Sequence, residues 1–338
     1  MKLKTVIIGA GGISYWHAQA LKQTDIEIAG VYDISKAAAE KFAATFGTRA
    51  LDSVDEILDE VDMADLYTPP SERVYYAEKV MNAGKHLFIE KPISVSLEDC
   101  DRILECAKAN GVKLIVGFNH RYREGYRLLQ QAVQSGDLGD PINIYAHRFG
   151  IGAGFRGRNI SFSWRTDPKL VCGMSIESLS HDINMLMSLT KGVKRIGGMV
   201  NCSIESLPTF DNNSNVVFEL ASGGIGNIAS SWSSDIQYSA RCFIGTKGTA
   251  MIRGAGLWDF SEFVIKTDGM PYEKTYKVGE EFATTHVQSY VNIHNHFADC
   301  ILNDKEPLTT GQQGRDALVF SHAILDSFKS GQMIEVNI

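Results

Sequence analysis

Lys4-Thr5-Val6-Ile7-Ile8-Gly9-Ala10-Gly11-Gly12-Ile13-Ser14 decides the fold. The run from Thr5 to Ile8 is apolar and β-branched and reads as a strand; a helical pattern opens at Gly12 and runs to Gln23. A glycine turn between a strand and a helix is the setting in which such a fingerprint signals a dinucleotide. Gly9 permits the tight turn and Gly11 lets the backbone approach a pyrophosphate. The amides of Gly11, Gly12 and Ile13 turn the positive end of the helix towards it. Ser14 occupies the place of the usual third Gly or Ala and is small enough to keep the helix close to the strand. Asp33 ends the second predicted strand, Glu27 to Tyr32, about 20 residues beyond the glycines, where a carboxylate accepts hydrogen bonds from ribose hydroxyls and repels a 2′-phosphate. NAD is therefore expected over NADP, with Lys36 leaving NADP open. The alternative for Asp33 is a plain acid at a helix N-terminus.

Outward from this stretch, helical and β-rich runs alternate. The helices are Lys36 to Phe46, Val54 to Leu58, Ser71 to Ala83 and Leu97 to Asn110; the strands are Ala64 to Tyr67, His86 to Ile89 and Lys113 to Val116. This βαβ rhythm predicts a doubly wound parallel sheet, a Rossmann domain over residues 1–121. After Gly117 the rhythm changes. A helix from Tyr126 to Ser135 leads through a turn cluster into a strand from Ile142 to Arg148. Residues 195–278 read mostly as β-runs punctuated by glycines, as in antiparallel meanders. Helices from Thr285 to Asn303 and Gln312 to Ser330 and a short closing strand, Ile334 to Asn337, complete an expected α+β domain over 122–338. That domain is expected to bind substrate and to carry a large, mostly antiparallel, open-faced sheet. A sheet with one uncovered face predicts a homodimer or homotetramer.

With 338 residues the chain exceeds one ordinary core, which agrees with two domains. No stretch is apolar over the ~20 residues that a membrane span needs. The first residues leave no room for a signal peptide, so a cytoplasmic enzyme is expected. A net charge of −7 with thinly spread Lys and Arg argues against nucleic acid as a partner. The six cysteines show no CxxC pair. His294 and His296, two apart on a predicted helix, point to different sides, and no metal is expected.

Thr68-Pro69-Pro70 and Glu90-Lys91-Pro92 each follow a strand of the predicted parallel sheet. Open α/β sheets bind ligands at these carboxyl ends, so Thr68, Pro69, Glu90 and Lys91 are candidate cofactor residues. Pro92 confines the Lys91 backbone to extended conformations. His120, Arg121 and Tyr122 lie by the domain junction, where they meet substrate or nicotinamide or simply hydrogen-bond the junction. Phe149 to Arg165, with Arg156, Arg158, Trp164 and Arg165, reads as a lid or clamp for an anionic or polyhydroxylated substrate, or as an exposed loop or oligomer contact.

These features together resemble the glucose-fructose oxidoreductase/inositol dehydrogenase/MocA (Gfo/Idh/MocA) family. The resemblance rests on Gly9 to Ser14, Asp33, Thr68-Pro69-Pro70, Ala83-Gly84-Lys85-His86, Glu90-Lys91-Pro92, Gly117 to Arg121, Trp164-Arg165 and Gly173 through His181. It implies an NAD(P)-dependent dehydrogenase acting on a secondary alcohol or ketone of a sugar, inositol or related compound. Lys91 and His181 would then act at the reacting oxygen, with Glu177 as the acid four residues before the histidine. On one helix, Glu177 and His181 would share a face, and the carboxylate would orient the imidazole and raise its pKa. Substrate contacts are implied for Lys91, His120, Tyr122, Trp164, Arg165 and His181. Glu177 replaces the Asp of many members, and Asn184 stands where an Asp often follows. Two alternatives share the architecture: an NAD-binding ligand sensor without turnover, and an NAD-dependent glycoside hydrolase.

Overall fold

A computed structural model of the chain describes residues 2–152, 170, 172–205, 209–257, 260–278 and 282–338. The chain divides into two compact units, one of Met1–Tyr122 with Ala283–Arg315, the other of Arg123–Phe282 with Asp316–Ile338.

The first unit is built on β1 (Lys4–Ile8), β2 (Glu27–Tyr32), β3 (Met63–Leu66), β4 (His86–Ile89) and β5 (Leu114–Val116), all parallel in the order β2-β1-β3-β4-β5. Short apolar runs suit strands buried on both faces, and Ile7, Ile8, Leu66, Phe88 and Val116 are all wholly buried. The crossovers carry α1 (Gly12–Leu21), α2 (Lys36–Phe46), α3 (Arg73–Asn82) and α4 (Leu97–Asn110). Ser35 and Ser96 accept amide hydrogens at the starts of α2 and α4, and left-handed Gly47 and Gly111 end them. The expected helix from Val54 to Leu58 is instead two 3-10 turns, Val54–Glu56 and Leu58–Glu60, because so short a stretch does not sustain an α-helix.

One expectation fails at the far end of the sequence. The helix α8 (Phe282–Leu302), assigned from sequence to the second domain, belongs from Ala283 onward to the first unit. Its Tyr290, Val291, Ile293, Phe297 and Cys300 share a core with Ile7, Val31, Phe42, Phe88 and Ile115.

The second unit holds α5 (Glu124–Gln134), β6 (Pro141–Ile151), α6 (Gly173–Glu177), α7 (Ser180–Ser188), β7 (Val193–Asn201), β8 (Asn213–Leu220), β9 (Ile225–Ser231), β10 (Ser233–Gly245), β11 (Gly248–Gly254), β12 (Glu262–Thr267), β13 (Lys274–Lys277), most of α9 (Gly311–Ser330) and β14 (Ile334–Glu335). Its nine-stranded sheet runs β13-β12-β11-β10-β6-β9-β8-β7-β14. β6 sits at its centre, antiparallel to β10 and parallel to β9, so the meander is interrupted by an earlier strand. On the covered face Phe320 of α9 meets Phe218 edge to face, and Gly198 lets that helix close in: a Cβ there would stand 2.8 Å from Ile324. Met199, Val217 and Ile225, on the opposite face, are more than half exposed. Among the described residues no helix is long and apolar enough to cross a membrane.

Candidate active site

In the first unit the glycine turn has the geometry a pyrophosphate needs. Gly9 has φ +102°, and a Cβ there would stand 2.9 Å from the Tyr67 carbonyl carbon and 3.0 Å from the Thr68 nitrogen. Only glycine tolerates both the angle and the approach of β1 to β3. A Cβ at Gly11 or Gly12 would meet nothing within 4 Å, so these glycines leave bare backbone facing open space. No side chain caps α1 and no acid lies in its first turn, which leaves its first amides for an anion. Ser14 is fully buried, and its hydroxyl donates to the Gly11 carbonyl at 2.6 Å, so the departure from glycine is absorbed inside the turn.

Asp33 is tied to that turn. Its carboxylate accepts the Ala10 amide at 2.7 Å and the Ser35 amide at 2.8 Å. The cap of α2 is Ser35, so Asp33 bridges two strand-to-helix turns and is more than a helix-terminal acid. Lys36 is drawn to Asp52, 2.8 Å away and exposed. The donor set fits a dinucleotide, with amides for the pyrophosphate and a fixed carboxylate for the ribose.

The ends of β3 and β4 are joined by a residue that the sequence reading passed over. Arg73 is 4% exposed; its Nε donates to the Thr68 carbonyl at 2.9 Å, and its Nη1 donates to the carbonyls of Glu90 and Pro92. A cation in the first turn of a helix works against the helix dipole, which is the sequence signal that Arg73 serves the fold elsewhere. The clamp thus fixes Thr68-Pro69-Pro70 against Glu90-Lys91-Pro92. Glu90 is buried; its Oε2 accepts the Lys91 amide at 2.9 Å and its Oε1 accepts from His17 Nε2 at 3.1 Å. Gly117 makes the room, since a Cβ there would stand 2.7 Å from Glu90 Oε1. Lys91 is half-buried.

Asn119–Tyr122 form a 3-10 turn anchored by α8: Asn119 donates to Ser289 at 2.8 Å and Asn292 to the Tyr122 carbonyl at 3.1 Å. His120 and Arg121 are each 3% exposed, and burial pushes the Arg121 guanidinium down to about 10, leaving it charged at neutral pH. Tyr122, expected at the substrate, is turned into the first unit's core, its ring against His296 and its hydroxyl 3.5 Å from Thr309. His294 and His296 do diverge: His294 Nε2 lies 2.9 Å from His17, while His296 Nε2 accepts the Leu308 amide. Among the described residues no cluster of His, Cys, Asp and Glu is arranged for a metal. Trp164 and Arg165 lie outside the described residues.

In the second unit, Glu177 and His181 are both buried but do not lie on one helix. Glu177 ends α6 and His181 is the second residue of α7, with Ser178 and Leu179 between. The turn is widened, with the Leu179 amide donating to the Met174 carbonyl five residues back and the Ser180 hydroxyl donating to the Glu177 carbonyl. The simple four-residue spacing therefore does not describe how they face each other. The segment is fixed at both ends. Asp211 accepts from the amide and hydroxyl of Ser175, at 2.9 and 2.6 Å, and Gly173, at φ +69°, leaves it the space. Beyond His181, buried Asp182 binds Arg148 Nε at 3.1 Å and Arg241 Nε at 2.8 Å, and Arg148 Nη1 also holds the Ser178 hydroxyl at 2.9 Å. Arg148 and Arg241 occupy inward positions of β6 and β10, so two buried arginines on the sheet grip the turn that carries His181.

The parallel sheet, the glycine turn and the anchored carboxylate define a dinucleotide-binding Rossmann protein with an α+β second unit. The oxidoreductase family with the NAD-binding Rossmann fold, GFO_IDH_MocA, matches residues 3–118, and its C-terminal domain matches residues 126–251. The chain belongs to this Gfo/Idh/MocA family, and its first unit is an NAD-binding Rossmann fold. Glucose-6-phosphate 3-dehydrogenase of Bacillus subtilis (strain 168) is 34% identical over 165 residues, 48% of this chain and 46% of that protein. The match thus spans about half the length of that relative. The scyllo-inositol 2-dehydrogenase (NAD(+)) of the same organism is 24% identical over 348 residues, covering 100% of this chain and 97% of that one. The WlbA dehydrogenase from Bordetella pertussis, solved in complex with NADH and UDP-GlcNAcA, matches with a TM-score of 0.85 at 21% identity, covering 100% of this chain and 98% of that one. At that identity the likeness speaks for the fold.

Proposed function

We propose that the chain is an NAD-dependent dehydrogenase that oxidises a secondary alcohol of a sugar, an inositol or a related polyhydroxylated compound, or reduces the matching ketone. Bound NAD supplies the acceptor of the hydride. An alcohol that gives up hydride must also lose its hydroxyl proton, and His181 is assigned to take it. Lys91 is assigned to stabilise the developing alkoxide. Glu177 assists the histidine. His120 is a candidate substrate contact, as are Trp164 and Arg165; Tyr122, held in the core, is withdrawn from that set. Gly9, Gly11, Gly12, Ile13, Asp33, Thr68, Pro69 and Glu90 are assigned to the cofactor.

The observation that carries this reading is the arginine-clamped Glu90-Lys91-Pro92 turn at the carboxyl end of β4, in the unit that holds the glycine cradle. A lysine held at that edge of an open α/β sheet suits cofactor chemistry. The relatives named for glucose 6-phosphate and inositol support the substrate class. The test is a panel of sugars, sugar phosphates, nucleotide sugars and inositols incubated with NAD and read by NADH absorbance. Turnover of one class is expected; NAD binding by calorimetry without turnover of any would refute the reading. We further propose that the exposed apolar face of the nine-stranded sheet is buried in a homo-oligomer.

A further inference from the structure

Beneath the Glu90-Lys91 turn runs a file of ionisable side chains of which only Glu90 has been given a role above. His17 on α1 contacts Glu90 Oε1 through Nε2 at 3.1 Å, and its Nδ1 lies 2.9 Å from His294 Nε2 on α8. His294 Nδ1 in turn faces Asp65 Oδ1 of β3 at 3.7 Å, and Asp65 Oδ2 accepts from the Thr5 hydroxyl at 2.7 Å. His17, His294 and Asp65 are wholly buried and Glu90 nearly so. Glu90, His17 and His294 form one hydrogen-bonded line, the two histidines 277 residues apart in sequence, and Asp65 faces its inner end from beyond hydrogen-bond range, neither His294 Nδ1 nor Asp65 Oδ1 having another partner among the described residues.

Donor and acceptor counting fixes the protons in this line. Burial opposes charge on Glu90, but the His17 hydrogen bond and the charges of Lys91 and Arg73 outweigh it and hold the carboxyl below its usual range. An ionised Glu90 only accepts, so His17 carries its proton on Nε2. Burial keeps His17 neutral against the pull of Glu90, so its Nδ1 is bare and must accept from His294 Nε2–H. Burial and the neighbouring His17 hold His294 neutral as well, leaving a bare Nδ1 towards Asp65. Two bare acceptors facing each other would repel. A protonated Asp65 removes the conflict, and burial pushes that carboxyl up to about 7 despite the Thr5 and Tyr67 donors. The other groups around the file are the rings of Tyr67, Phe88 and Tyr290 packed on His17.

We propose that His17 and His294 are positioning residues for Lys91: the hydrogen-bonded file Glu90–His17–His294 keeps the Glu90 carboxylate aimed, so that its Oε2 holds the Lys91 amide and its charge acts on the lysine. The proposal rests on the reading of Lys91 as the cation of the reaction. A carboxylate set in one orientation by a histidine whose own tautomer is set by a second histidine is the arrangement by which a buried network fixes a working group. A histidine that merely filled space would not need a partner on each nitrogen.

Two experiments test it. Nitrogen-15 resonances of the imidazoles in the unsubstituted protein at pH 6 should show His17 and His294 both neutral and both protonated on Nε2; an imidazolium or an Nδ1–H form at either would overturn the file. On a substrate found by the panel, His17→Leu should lower kcat roughly 10-fold to 10²-fold, the scale of a displaced reacting group. NAD affinity should barely change. The acidic limb of the rate profile should move to higher pH, because Glu90 loses its donor and protonates more readily. His17→Gln, which restores an N–H near the Nε2 position, should recover most of the rate and return the limb. Equal losses in Leu and Gln variants, or a loss confined to NAD affinity, would overturn the proposal. Lys91→Ala separates the two claims. If it turns over normally, the reading of Lys91 fails and takes this proposal with it. If it is slow while His17→Leu is fast, only the positioning role fails.

Discussion

Asp182 is the carboxylate that two buried arginines of the second unit share. Its Oδ2 lies 3.1 Å from Arg148 Nε, and its Oδ1 lies 2.8 Å from Nε and 2.5 Å from Nη2 of Arg241; all three side chains are at most 1% exposed. Burial pushes the Arg148 guanidinium down, with Asp182 opposing. At Arg241 burial again opposes the charge, but Asp182 together with Tyr126 and Tyr238 outweighs it and raises the guanidinium. Asp182→Asn keeps the shape and removes the negative charge that both buried guanidinium groups face. Breaking a buried pair in this way costs about 3–5 kcal/mol. A unit of this size loses ~2–4 °C of Tm per kcal/mol, so a drop of roughly 6–20 °C is expected in thermal unfolding followed by circular dichroism. Adding Arg148→Met to Asp182→Asn should return part of it, since one buried cation no longer faces the neutralised side chain. A Tm within 2 °C of the parent, with no response to the second substitution, would refute the reasoning that the triad grips the His181 turn.

Three further outcomes follow from particular groups. Asp33→Asn should weaken NAD by about 10-fold to 10²-fold, as for hydrogen bonds to a charged group, and narrow the preference over NADP. An unchanged NAD-to-NADP ratio in calorimetry would mean that Asp33 serves only the Ala10 and Ser35 amides. The Asp65 carboxyl titrates at about 7 when folded and near 3.9 when unfolded, so the folded state holds the extra proton between those values. Its contribution to stability is full below about pH 4 and is lost as the pH rises through about 7. The Tm of Asp65→Asn relative to the parent should therefore be higher at pH 8 than at pH 5, and a constant difference would contradict it. Met199→Lys with Val217→Lys should convert the oligomer to monomer in light scattering; a parent already monomeric at micromolar concentration would remove the proposed interface.

The sheet of the first unit was legible because parallel strands are short apolar runs and their turns need glycine or a capping serine, features that lie within a few residues of one another. Gly9 and the Ser35 cap are of this kind. The membership of α8 in the first unit was not legible, because nothing local to Tyr290, Val291 or Phe297 says which core they enter; that is decided by contacts with Ile7, Val31, Phe42, Phe88 and Ile115, all far away in sequence. The same holds for His294, read in sequence only against His296, whose partner is His17. The break at Ser178 and Leu179 escaped the helical pattern because a widened turn keeps helical spacing nearly intact. Arg148 and Arg241 had a signal, a basic residue at the inward parity of a strand, which demands a buried anion and points to the acid beside His181. Trp164 and Arg165 rest on sequence alone.

The measurement that reaches the central claim most directly is the turnover of Lys91→Ala and His181→Ala on a substrate found by the panel, with NAD titrated beside it. Each variant should fold and bind NAD nearly as the parent does while kcat falls by roughly 10²-fold or more, the scale of lost acid/base or electrostatic assistance. Near-normal turnover in either variant across the pH range would contradict the assignment of that residue to the chemical step.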